Sequence, residues 1–144
     1  MPAVSIFRHS LRVTYADCTV GNHVYYARYF DFLETARGEF FRSLGFTFQG
    51  LEDEGLAFPV IHCEGDFKRA ARYDHEIQIH LWLRSVERIR LDFAYRIVSD
   101  QEQVLFEGLT RHACTDLKNK AFRIPSNLIE KLIPYQESPD SVSP

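Results

Sequence analysis

The sequence predicts an α+β domain in which a curved antiparallel sheet wraps around one long central helix. Three observations predict it. The elements read as a strand, a long helix and then a run of strands. The helix, 24–44, is apolar almost all round, which suits a buried rod. The later strands alternate in polarity and are joined by short turns, as neighbours in an antiparallel sheet are. A lone apolar helix of this length needs a concave sheet face to cover it.

Each element has its own signal. Leu11, Val13 and Tyr15 alternate with Arg12 and Thr14, giving a first strand over about 5–15. Tyr25, Tyr26, Tyr29, Phe30, Leu33, Ala36, Phe40 and Leu44 recur at helical spacing, and Gly45 is a natural stop. Residues 48–55, FQGLEDEG, form a short second helix or a turn. Strands are expected over 58–70, 75–87, 88–99 and 104–115. In the second of these Ile77, Ile79, Leu81 and Leu83 alternate with Gln78, His80, Trp82 and Arg84; in the third Ile89, Leu91, Phe93, Tyr95 and Ile97 share a face. Turns fall at 71–74 and 99–102. Pro125 and Ser126 start a short helix within 121–132. Residues 1–134 read as one domain and 135–144 as a polar, loose tail.

Composition narrows the classes. A chain of 144 residues holds one domain with a sizeable core, and 45% apolar with 26% charged residues is globular usage. A net charge of −3 gives no sign of a nucleic-acid partner. No apolar run of membrane length is present, and 1–12 is polar and mixed, unlike a signal peptide. Three widely spaced cysteines, Cys18, Cys63 and Cys114, cannot all pair within one chain and fit no zinc template. Reduced thiols in a cytoplasm are the expectation.

Residues 15–37, YADCTVGNHVYYARYFDFLETAR, carry most of the functional information. A loop of small and polar residues runs into a helix whose first turn is expected to hold Asn22, His23, Val24, Tyr25 and Tyr26. A helix start offers unpaired N–H groups and a positive dipole end to an anion. Asp17, His23 and Glu34 stand nearby as acid/base candidates. Each has a plainer reading: Asp17 as an acceptor for turn N–H groups, His23 as a packing residue, Glu34 with Arg37 as an i, i+3 ion pair. Cys18 lacks a His/Asn partner pattern for a nucleophile, and His62, His80 and His112 show no repeated metal-ligand spacing. No phosphate loop and no Gly-x-Ser-x-Gly elbow is present.

The same stretch resembles the opening motif of the hotdog-fold thioesterases of the 4-hydroxybenzoyl-CoA thioesterase type. That motif runs Tyr-x-Asp-x-Asp-x-x-Gly-x-Val-(Tyr/Asn)-x-x-x-Tyr, then Glu-x-Ala-Arg. The matching positions are Tyr15, Asp17, Thr19, Asn22, Val24, Tyr25, Tyr29, Glu34, Ala36 and Arg37. FKRAARYDHEIQIHLWLRSV and FRIP also resemble family segments, and the similarity spans 5–132.

The resemblance implies hydrolysis of an acyl-CoA or acyl-carrier-protein thioester with no cofactor or metal. It implies that the Tyr26 N–H polarises the thioester carbonyl, which requires a helix cap at His23 or later so that the amide stays unpaired. It places the family's catalytic carboxylate at Thr19, which is no carboxylate, and a glycine at Asn22. Asp17, His23 and Glu34 are the available substitutes, since a hydroxyl needs a separate base. Histidines titrate near neutrality, which makes His23 a general-base candidate. Hotdog thioesterases resembling those of enediyne polyketide pathways carry an amide at the Thr19 position and keep an arginine at Arg37. By that likeness Thr19 orients water while Arg37 and the helix amides stabilise charge.

For the carrier, Lys68, Arg69, Arg72, Arg84, Arg88 and Arg90 form two basic stretches. Arg88 matches the family's phosphate-binding arginine, and Asn22 and Arg88 are the expected binding residues. The family also implies a homodimer or homotetramer built edge to edge, with the last strand covering the open edge. A non-hydrolytic acyl-thioester-binding or structural protein is the competing function.

Overall fold

The computed structural model describes residues 4–137. Five strands form one antiparallel sheet: β1 (Phe7–Arg12), β4 (Val60–Phe67), β5 (Glu76–Val86), β6 (Arg90–Ser99) and β7 (Val104–Ala113), in the order β1-β5-β6-β7-β4. A two-stranded ribbon, β2 (Cys18–Thr19) with β3 (His23–Val24), stands apart. Helix α1 (Tyr26–Ser43) lies in the hollow of the sheet. Helices α2 (Phe48–Asp53) and α3 (Ser126–Leu132) close its far end.

Alternation placed the strands well. Ile77, Ile79, Leu81 and Leu83 of β5 are all at or below 1% exposure, as are Leu91, Phe93, Tyr95 and Ile97 of β6. Ile89 leaves this face and is exposed in the β5–β6 turn. Register irregularities at Leu83/Ser85, Ile97/Val98 and Val60/His62 add local bend and twist. The concave face meets α1 through aromatic rings: Phe40 against Phe7 and Phe93, Phe41 against Phe58, and Tyr29 stacked on Phe106.

Two expectations about α1 are corrected. The helix buries one side, with Tyr29, Phe32, Leu33, Ala36, Arg37, Phe40 and Phe41, while Arg28, Asp31, Glu34 and Thr35 are exposed. Charged residues recur along that outer face, so the rod is amphipathic within one chain. It also starts at Tyr26 rather than Val24, because residues 22–24 belong to the ribbon. Its end is as expected: Gly45, at φ 93°, and Phe46 donate to the Arg42 and Phe41 carbonyls at 3.0 and 2.9 Å, a Schellman closure.

The last strand, β7, is interior, between β6 and β4. The open edges are β1 and β4 instead. Val60, Ile61 and Phe67 of β4 are all about half exposed. The chain stays packed through Glu137, whose N–H donates to the Leu83 carbonyl and whose Oε1 accepts the Trp82 Nε1–H at 2.6 Å. Of the expected tail, 138–144 lie outside the described residues. No described helix is long and apolar enough to cross a membrane.

Candidate functional site

The ribbon sets the start of α1. The Val24 N–H donates to the Ala71 carbonyl at 2.8 Å and the Tyr25 N–H to the Asp17 carbonyl at 2.9 Å. Both residues are thereby held extended, and Tyr25 becomes the N-cap, with φ −63° and ψ 134°. The Tyr25 carbonyl then takes the Arg28 N–H at 2.9 Å. Among the described residues no protein acceptor meets the Tyr26 or Ala27 N–H. A good Tyr26-to-Asn22 bond would have closed this position, and it is absent.

Asn22 and Gly21 make the turn of the ribbon, both at positive φ (58° and 91°). Asparagine tolerates this region better than most residues, so its replacement of the motif glycine keeps the backbone path. Its Oδ1 accepts the Tyr73 N–H at 3.2 Å, and Arg72 holds its carbonyl at 3.1 Å. Asn22 is thus committed to the turn.

Thr19 and His23 face each other directly across the ribbon. Both border a cavity of about 490 Å³ that opens at the helix start, with Tyr26, Tyr29, Phe67, Lys68 and Arg69 among its other walls. The Tyr29 hydroxyl accepts the Ala71 N–H at 3.2 Å, so one residue, Ala71, ties ribbon to helix. Burial pushes the Tyr29 phenol pKa up.

The other expected site residues lie elsewhere. The Asp17 Oδ2 accepts the Thr14 N–H and Oγ1–H, both at 2.9 Å, and the residue does not border the cavity. Arg88 sits in the β5–β6 turn, at the opposite end of the sheet from the helix start. Arg37 is eleven residues beyond Tyr26, roughly 16 Å along the axis. The expected Glu34–Arg37 ion pair is not formed: Glu34 points outward and Arg37 inward, because Tyr95 of β6 offers the buried guanidinium an acceptor.

That contact opens a polar chain the sequence reading missed. Arg37 Nη1 donates to the Tyr95 hydroxyl at 3.1 Å, and the Tyr95 and Thr110 hydroxyls are 2.6 Å apart. Thr110 Oγ1 lies 2.8 Å from His112 Nε2, and His112 Nδ1 lies 2.9 Å from the Phe58 carbonyl. With Arg37 as donor at one end and a carbonyl at the other, the protons run one way and His112 is neutral, protonated at Nδ1. Burial lowers its pKa to about 4, and the Arg37 charge adds to this. Burial raises the Tyr95 pKa. The available signal was polar residues at alternate positions, 110 and 112, on the inward face of a strand. His62 pairs with Glu64 and His80 with Gln78, so the three strand histidines do not converge.

Comparison with known proteins agrees with this architecture. The family model of the thioesterase-like superfamily matches residues 13–132. The acyl-CoA thioester hydrolase YbgC of Escherichia coli O6:H1 is 33% identical, covering 87% of this chain and 94% of its own. The Haemophilus influenzae acyl-CoA thioesterase YbgC is 34% identical, covering 85% and 90%. In fold, the chain resembles a 1,4-dihydroxy-2-naphthoyl-CoA thioesterase from Synechocystis, with TM-score 0.83, 21% identity and coverage of 90% and 96%. A sheet folded around one helix, a family model spanning most of the domain and relatives matched over nearly their whole length agree: this chain is a hotdog-fold member of the thioesterase-like superfamily.

Proposed function

We propose that this chain hydrolyses acyl-CoA thioesters, with the Tyr26 N–H as the donor that stabilises the oxyanion. The unpaired amide at the mouth of a 490 Å³ cavity is the observation that carries this reading. A fixed amide in a helix's first turn needs no reorganisation when charge develops on the carbonyl oxygen. The relatives' names point to the same chemistry.

Thr19 and His23 supply the rest. A water held by the Thr19 hydroxyl attacks the thioester carbon, and its proton passes to the His23 imidazole. The tetrahedral oxyanion rests on the Tyr26 N–H. Collapse breaks the C–S bond, and the imidazolium returns the proton to the departing thiolate. Asp17 shapes the turn, and Glu34 and Arg37 stand outside this step. Lys68 and Arg69, at the cavity wall, are placed to meet carrier phosphates.

The assembly is a homodimer through β4, the unit from which a tetramer would be built. Phe67 supports it by lying on the open edge while walling the cavity, so a second copy there would finish the site. Arg88 would reach a carrier only on another copy. A cytoplasmic location fits three free thiols.

Thiol release from a panel of acyl-CoAs and acyl-carrier-protein thioesters tests the reading. Hydrolysis above background supports it. Tight binding without thiol release would support a thioester-binding protein instead.

A further inference from the structure

Beyond the helix-start cavity, two more cavities follow along α1 and β4. One, of about 180 Å³, is bordered by Phe30, Asp31 and Cys63; the other, of about 460 Å³, is walled by Phe41, Phe58, Phe93 and Leu56. Glu34, Arg37 and Val60 border both, so they meet at Arg37.

Arg37 is the unusual group there. It is only 8% exposed, yet it makes no ion pair with any carboxylate among the described residues. A guanidinium has five N–H donors, and here one is engaged, by the neutral Tyr95 hydroxyl. Buried charges are ordinarily paired, because an uncompensated ion in a low-dielectric interior is strongly disfavoured. Asp92, the nearest acid on β6, is taken by Arg111 at 3.2 Å. Tyr95, Thr110 and His112 hold the guanidinium in place without neutralising it, since each is uncharged at neutral pH. Arg37 borders space whose walls are largely aromatic and aliphatic, with the exposed carboxylates of Asp31, Glu34 and Glu52 also on its lining but none within ion-pair distance of the guanidinium.

We infer that Arg37 is the specificity residue of an acyl chamber, receiving an acyl group that is apolar along its length and ends in an anionic oxygen, a carboxylate above all. This rests on the thioesterase reading and names its substrate class. A carboxylate would accept two N–H groups of the planar fork at once and supply the missing counter-charge. The phenyl rings would cover the chain between the two polar ends.

Thiol release from suberyl-CoA and sebacyl-CoA, which end in a carboxylate, is compared with release from octanoyl-CoA and decanoyl-CoA. Wild type, Arg37→Met and Arg37→Lys are assayed. In wild type kcat/KM should favour the carboxylated substrates by about tenfold or more. The preference should vanish in Arg37→Met, chiefly through KM, and be intermediate in Arg37→Lys, whose ammonium lacks the fork. Calorimetry with the non-hydrolysable thioether analogues of suberyl-CoA and octanoyl-CoA reads the same preference without turnover. A wild type that favours the plain chains, or a ratio that Arg37→Met leaves unchanged, overturns the inference; the wild-type ratio decides even if a variant fails to fold. If no thioester is cleaved but the carboxylated analogue binds in an Arg37-dependent way, the chamber stands and the hydrolase reading falls. If plain acyl-CoAs are cleaved without any carboxylate preference, the chamber falls alone.

Discussion

The Tyr25 N–H donates to the Asp17 carbonyl at 2.9 Å, and this bond, together with that from the Val24 N–H to the Ala71 carbonyl, sets where the central helix begins. It holds Tyr25 extended, so the next amide, that of Tyr26, enters the helix with no partner behind it. Catalysis in the proposed mechanism depends on this local arrangement more than on any single side chain.

Removing the Tyr26 N–H should therefore cost more than removing the Thr19 hydroxyl. Tyr26→Pro is suited to the test, since proline is favoured at the first helical position and Tyr25, at ψ 134°, already has the backbone that precedes proline. We expect kcat to fall by about 10²–10³-fold in Tyr26→Pro. Tyr26→Ala, which keeps the amide, and Thr19→Ala should each lose less. Steady-state thiol release on folded variants checks the order, and equal losses in Tyr26→Pro and Tyr26→Ala would move the oxyanion donor elsewhere.

Thr19→Asp should raise turnover. It restores the carboxylate of the family motif at a position facing His23 and the cavity. The same assay reads it, with a lower rate than wild type as the contrary result.

Asp17→Ala should act through stability. The side chain accepts two bonds from Thr14, and their loss should lower unfolding free energy by about 1 kcal/mol. Urea titration measures this. The pH–rate profile should keep its shape, whereas a missing acidic limb would mark Asp17 as a catalytic base.

His112 should make stability fall in acid. Its folded pKa, about 4, lies below the ordinary 6.5, so the unfolded chain binds the proton first as pH drops. The contribution is whole above pH 6.5 and is lost as pH falls through that value towards 4. The difference is on the order of 3 kcal/mol. Comparing wild type with His112→Gln by urea denaturation across this range isolates it from the carboxylates, and parallel curves would contradict it.

Gly65→Ala should loosen the wall of the helix-start cavity. A Cβ there would overlap the Phe106 ring, which is fully buried and stacks on Tyr29. Overpacking of this kind typically costs about 1–3 kcal/mol. A lowered melting temperature with weaker acyl-CoA binding is the expected outcome, read by calorimetry.

Much of the fold was legible in the chain. Strand faces followed from alternation at 77–83 and 91–97, the helix body from its aromatic spacing, and its end from Gly45. The site was legible in part. Thr19, His23 and Tyr26 do border one cavity, while Glu34 and Arg37, three residues apart, suggested a pair that Tyr95 prevents.

What the sequence by itself determined was everything governed by near neighbours: which residues face inward, where helices stop, which motif the loop carries. The tertiary structure alone decided the helix start, the partner of Arg37 and which strand was left open. The reason is physical. Val24 needs the Ala71 carbonyl, Arg37 needs the Tyr95 hydroxyl, and β4 is an edge because β7 pairs with β6 on its other side. Each is a contact between residues far apart in the chain, and no local periodicity records it.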